Sequence, residues 1–229
     1  MTSLRKLVIH HDDLGGSHSA NMAFVELVDV GVVTCGSVMV PGPWFSEVVE
    51  IAHRRPDLDI GVHLTLTSEF PCYRWRPLTC GRSLVDAFGY FWSDLTGART
   101  AEPEEVYIEL KAQIDTAIAA GIDVTHLDSH MGTIWQPEFI DVYLQLGQEY
   151  HLPIVVTRDV QSLSAPHSDL SGVFDRLQNK EILIFRNSSL LPLKRLTQLL
   201  LTITGFSVRR WLDSTGVDSI SRHLVISNI

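Results

Sequence analysis

Hydrophobic positions along this chain alternate between short continuous runs and one-sided spacing. Leu4–His10 is a short apolar run with β-branched residues, too short for a helix and closed by two aspartates, and it predicts a buried strand. Ser17 then opens a helical pattern through His18–Val30, with Ala20, Ala23, Phe24, Leu27 and Val28 on one face and Gly31 as the stop. Gly36–Val40 reads as a second strand closed by Pro41-Gly42-Pro43. Trp44, Phe45, Val48, Val49 and Ala52 outline a second amphipathic helix, and Asp59–Leu66 a third strand.

The segment Thr67–Leu95 breaks this rhythm. It sets Phe70, Tyr73, Trp75, Phe88, Tyr90, Phe91 and Trp92 among Pro, Gly and Arg, which reads as a long aromatic insertion after a strand. Pro103, followed by Glu104 and Glu105, starts a helix that runs to Ala120 and stops at Gly121. Asp123–Leu127 is strand four, Pro137 opens a helix to about Tyr150, Pro153–Thr157 is strand five and Ile182–Phe185 strand six. The last fifty residues read as mostly helical, with Val225-Ile226 as a final strand and Ser162–Ser171 as a polar loop. Strand–helix alternation without repeats implies a parallel sheet with helical crossovers, either a (β/α) barrel or a doubly wound sheet, in one domain over residues 1–229.

Composition narrows the partners. Eighteen Lys+Arg against 27 Asp+Glu give a formal charge of −9, which argues against a nucleic-acid backbone as ligand. No apolar run approaches the roughly 18–20 residues of a membrane span, and Met1–Ile9 does not read as a leader. Cys35, Cys72 and Cys80 are odd in number and lack zinc-knuckle spacing, which fits a reducing, cytoplasmic setting.

Three polar clusters stand where strands end: His11-Asp12-Asp13-Leu14-Gly15-Gly16, His63 within Gly61–Thr65, and Thr125-His126-Leu127-Asp128-Ser129-His130. Each alone has an ordinary explanation, as a turn, a hydrogen-bonded core histidine or a buried polar group. Together they matter more, because the carboxyl ends of parallel strands share one face. Asp, His and His from three distant segments would then meet in one pocket. Two imidazoles and a carboxylate suit Zn²⁺ or a similar divalent ion and leave positions open for water and substrate. Neighbouring Asp12 and Asp13 point apart, so one can ligate while the other faces the metal-bound water as base. Competing signals are weaker: there is no Gly-x-Ser-x-Gly elbow, no dinucleotide fingerprint and no phosphate-binding Gly-Lys-Ser/Thr loop. Trp44, Trp75, Trp92 and Trp135 are candidates to stack on sugar rings or to pack the core. Arg74, Arg76, Arg82 and Arg158 are the anion contacts that hydrolysis of another bond, such as a phosphoester, would need.

These motifs resemble the YdjC-like (ChbG/HpnK) carbohydrate deacetylases. The matching residues are His11-Asp12-Asp13-Leu14-Gly15 with Ser17–Asn21 behind it, Gly61–Thr67, and Thr125–His130, and the likeness runs from residue 4 to about 160. The resemblance implies a distorted (β/α) barrel of the glycoside hydrolase/deacetylase type. It implies one divalent metal ion, Mg²⁺ or Zn²⁺, held by Asp13, His63 and His130, with Asp12 as general base, and removal of an N-acetyl group from an amino sugar or chitooligosaccharide-like substrate. The chain departs from the family in two places. Relatives carry further histidines where Met131, Gly132 and Ile134 stand here, which alters the pocket wall. Relatives also continue to a His-Pro strand that helps the leaving group, a motif that His223 does not fit. The expectation is that the chain lacks a C-terminal segment, or that His126 or another group supplies the acid, or that the barrel binds sugar without turning it over. A barrel incomplete at that end would expose apolar surface that a second copy could cover, predicting a homodimer.

Overall fold

A computed structural model of the protein describes residues 8–157 and the strand 182–185. The expectations for the polar loop, Arg158, His223 and the C-terminal elements lie outside the described residues. Strands β1 (His10–Leu14), β2 (Cys35–Val38), β3 (Ile60–Leu64), β4 (Val124–Ser129), β5 (Ile154–Thr157) and β6 (Ile182–Phe185) form one sheet. They lie in the order β1-β2-β3-β4-β5-β6, every pair parallel. Such an order never reverses direction. It is the order of a barrel wall and not of a doubly wound sheet, and the six described strands form an open arc of it.

Helix α1 (His18–Asp29) follows β1 and α2 (Phe45–Arg54) follows β2. The Ser17 side chain caps α1 by accepting from the Ala20 amide at 3.1 Å. After β3 come the short α3 (Leu95–Ala98) and the long α4 (Pro103–Ala119), and after β4 come a 3₁₀ turn (His130–Trp135) and α5 (Ile140–Glu149). Helix α4 buries Val106, Leu110, Ile114 and Ala117, spaced three or four apart, so that one face meets the core. Phe24, Phe91, Phe139 and Tyr143 fill much of the rest.

Most elements match the spacing read from the sequence, with two shifts. Among the described residues the first strand runs over His10–Leu14, whereas most of the expected Leu4–His10 run lies outside them. His10, His11 and Leu14 register against Cys35, Gly36 and Val38, and a bulge lies between His11 and Leu14. The strand therefore carries its polar cluster within itself. Helix α5 starts at Ile140 rather than Pro137, because a 3₁₀ turn with left-handed Met131 and Gly132 comes first.

The aromatic insertion is held by polar side chains of α4 that a pattern of apolar spacing cannot see. Buried Gln113 brackets Thr65, accepting from its amide at 3.0 Å and donating to its carbonyl at 2.8 Å. Buried Glu109 accepts from the Leu78 and Thr79 amides, and Glu105 from Ser83. These contacts fold the segment back over the carboxyl ends of the strands.

Candidate active site

The bulge in β1 places Asp13 at φ 62°, in the left-handed region. Its carboxylate is thereby turned to His63 on β3 and to His130, which opens the 3₁₀ turn after β4. Asp13 Oδ1 lies 3.0 Å from His130 Nδ1 and 3.3 Å from His63 Nε2. Each imidazole is gripped from behind by a further carboxylate. His63 Nδ1 meets Asp128 Oδ1 at 2.7 Å, and His130 Nε2 meets Glu69 Oε2 at 3.1 Å. His63 and Asp128 are direct register partners on β3 and β4, which is why they meet. Ser37 on β2 closes this corner, donating to Asp128 Oδ2 at 2.9 Å.

The electrostatics follow from this packing. Desolvation would raise the Asp13 carboxyl, but hydrogen bonds from His130 and His63 hold it well below the usual carboxylate range. Burial opposes a charge on His63, and the adjacent Asp128 overrides it and raises the ring's pKa. A pair of imidazoles aimed at one carboxylate, each braced by another, is a donor set that fits a divalent cation. One nitrogen of each ring faces Asp13 while the other is fixed in orientation by a carboxylate. Asp13, His63 and His130 present ligand atoms within 4.8 Å of one another.

Asp13 and His130 line a cavity of about 720 Å³, together with His11, Asp12, Glu69 and Trp75. Phe70 and Tyr73 add apolar wall, and the Tyr73 hydroxyl donates to the Gly16 carbonyl at 2.7 Å. Of the four tryptophans considered as sugar platforms, Trp75 lines the cavity. Trp44 packs against His18, and the indoles of Trp92 and Trp135 donate to the Ser83 and Val155 carbonyls. Among the described residues no arginine or lysine lines this space. Of the arginines considered as anion contacts, Arg74 is engaged by Asp86 at 2.6 Å and Arg76 lies over the Tyr90 ring.

Asp12 also lines the cavity, but its Oδ1 is bound to His10 Nδ1 at 2.7 Å. Behind it lies a buried polar layer. His10 Nε2 meets His126 Nε2 at 2.9 Å, and His126 Nδ1 meets Thr125 Oγ1 at 2.8 Å. His126, considered above as the leaving-group acid, is therefore beneath the site and does not line the cavity. Burial works against a charge on His10, yet the hydrogen bond to Asp12 and the nearby Asp128 push its pKa up. Burial, then the positive character of His10, bring His126 down to about 4.

Sequence reading brought Asp12, Asp13, His63, His126 and His130 forward; in the structure Asp13, His63 and His130 converge, Asp12 lines the same cavity while bound to His10, and His126 lies beneath. Sequence reading missed Glu69, His10, Ser37 and Asp59. The available signal for Glu69 was an acidic residue just beyond the carboxyl end of a strand, in Thr67-Ser68-Glu69.

The sequence model of the YdjC-like protein family matches residues 6–221. A carbohydrate deacetylase of Thermus thermophilus is 47% identical over 163 residues, covering 71% of this chain and 57% of the relative. A carbohydrate deacetylase of Brevibacillus brevis is 36% identical over 149 residues, covering 65% and 58%. The chain thus spans a little over half the length of these curated relatives. A crystal structure of a candidate cellobiose-phosphate cleavage protein from Enterococcus faecalis superposes with a TM-score of 0.64 at 25% identity, covering 99% of this chain and 98% of that one.

Proposed function

The chain belongs to the YdjC-like protein family, and from that premise we propose that it hydrolyses the N-acetyl group of an amino sugar, releasing acetate, with the help of a divalent ion. The observation that carries this reading is the convergence of His63 and His130 on Asp13 at a cavity walled by Trp75, Tyr73 and Phe70. Asp13, His63 and His130 would hold the ion, Mg²⁺ or Zn²⁺. When bound, such an ion supplies a Lewis acid for an amide carbonyl and a water of lowered pKa.

The chain's own residues do the rest. The aromatic wall gives a sugar ring an apolar face to lie on. Asp12, at the cavity surface beside Asp13, accepts the proton of the attacking water. Its fixed Oδ1 contact with His10 leaves the second oxygen for that task. Glu69 and Asp128 keep the two imidazoles aimed. The names of the relatives support a carbohydrate substrate, and the absence of arginine and lysine from the cavity lining among the described residues favours a neutral one.

The test is acetate release from N-acetylglucosamine oligomers, with metal analysis of the same sample. Release that stops with chelator and returns with Zn²⁺ or Mg²⁺ is the expected outcome. A stoichiometric metal with no acetate release would instead favour a sugar-binding barrel.

A further inference from the structure

A continuous line of hydrogen bonds leaves the cavity at Asp12 and ends at a second carboxylate inside the sheet. The contacts are Asp12 Oδ1 to His10 Nδ1 at 2.7 Å, His10 Nε2 to His126 Nε2 at 2.9 Å, His126 Nδ1 to Thr125 Oγ1 at 2.8 Å, and Thr125 Oγ1 to Asp59 Oδ1 at 2.5 Å. His10, His126, Thr125 and Asp59 are all buried. The protons along this line can be counted. A carboxylate accepts, so Thr125 gives its single hydroxyl proton to Asp59. Its oxygen is left to accept from His126 Nδ1–H. A neutral ring protonated at Nδ1 has only a lone pair at Nε2, so His10 donates to His126. His10 also donates from its other nitrogen to Asp12. These four contacts need four protons, and neutral Thr125, His126 and His10 bring three.

We propose that His10 is the positioning residue of Asp12: a doubly protonated ring, backed by His126, Thr125 and Asp59, that fixes one carboxylate oxygen by a charge-assisted hydrogen bond and leaves the other to the cavity. The proposal rests on the reading of Asp12 as general base. Asp128 Oδ2, 3.6 Å from His10 Nε2, adds a second negative neighbour to the cationic ring. The line also crosses the sheet. Thr125 and His126 belong to β4 and Asp59 is the residue before β3, so the orientation of a β1 side chain is set from β4 and the entry to β3. Cys35 lies close enough to His10 and His126 for the three to hold a cation. These two rings also make a direct hydrogen bond at 2.9 Å, and metal analysis separates the two arrangements.

The test uses the full chain loaded with Zn²⁺, labelled with ¹⁵N-histidine, at neutral pH, with acetate release measured on N-acetylglucosamine oligomers. The expected spectrum contains a ring with both nitrogens protonated that is missing from His10→Gln. That variant is expected to lose about 10–100-fold in kcat, with KM within about twofold and one Zn²⁺ per chain retained. Thr125→Val, whose side chain does not reach the cavity, is expected to shift the same resonances and lower kcat in the same direction. It carries the kinetic test if His10→Gln fails to fold. A neutral His10 ring in the unaltered protein, an unchanged kcat in the variants, or a second Zn²⁺ bound by His10, Cys35 and His126 would overturn the proposal. If the unaltered protein releases no acetate, the functional reading fails by itself, and the protonation of the His10 ring still decides this inference.

Discussion

Asp12 and Asp13 are neighbours with separate destinations. A left-handed backbone at Asp13 costs energy for a residue with a side chain, and such strain persists where surrounding contacts hold it. Here the holders are His63 and His130, while Asp12 is held by His10. Their replacements should therefore fail differently. Asp13→Ala is expected to lose bound metal while the fold persists. Asp12→Asn should keep the metal and lose about 10²–10⁴-fold in acetate release. Metal analysis and kinetics on the same preparations check both, and full metal in Asp13→Ala would remove it as a ligand. Glu69 gives a third contrast. It touches the His130 ring from the insertion side, so Glu69→Gln should weaken metal affinity by about 10–100-fold without abolishing binding. A titration with Zn²⁺ measures this, and unchanged affinity would remove Glu69 from any part in aiming His130.

At the level of elements, β3 and β4 pack unusually closely at Gly61. A Cβ there would stand 2.6 Å from the His126 ring and from its backbone oxygen. Gly61→Ala must push β4 or the ring aside, and should cost about 1–3 kcal/mol or more, read as a lowered Tm. An unchanged Tm would mean that the strands separate freely. The spacing of apolar residues made the strands and α4 legible, because core-facing periodicity is what burial requires. It could not show the bulge in β1, since Leu4–His10 is the apolar run and the polar His-Asp-Asp that follows gives no burial signal. Nor could it show that Glu109 and Gln113 of α4 turn inward, because their partners are backbone groups distant in the chain, Leu78 and Thr79 in the insertion and Thr65 before it. Strand ends brought forward the Asp12-Asp13 pair, His63 and the His126–His130 cluster, and the family resemblance singled out Asp13, His63 and His130 among them. Partners from mid-strand and loop, such as Ser37 and Glu69, needed the fold itself.

The molecule as a whole responds to acid through its buried carboxylates. Burial would raise Asp128, but the neighbouring His63, His10 and His126 bring it from an ordinary 3.8 down to about 2. A carboxyl depressed in the folded state stabilises the protein above its unfolded value, and that contribution disappears as pH falls from about 4 towards 2. Denaturant unfolding of chelator-treated protein should therefore show a shallower loss of stability over this range in Asp128→Asn, by up to one proton in slope. An equal slope would mean that Asp128 does not carry this linkage. The strand order has a consequence for how such a site comes into being. Neighbours in the sheet are neighbours in the chain, so each new strand can dock on the one just made as the polypeptide emerges from the ribosome. Asp13 is present from the first described strand, yet His63 arrives with the third and His130 only after the fourth. Until His130 has been synthesised this cluster does not exist, so a metal held by it would act as a late clasp on four strands already made, favouring the assembled state by mass action.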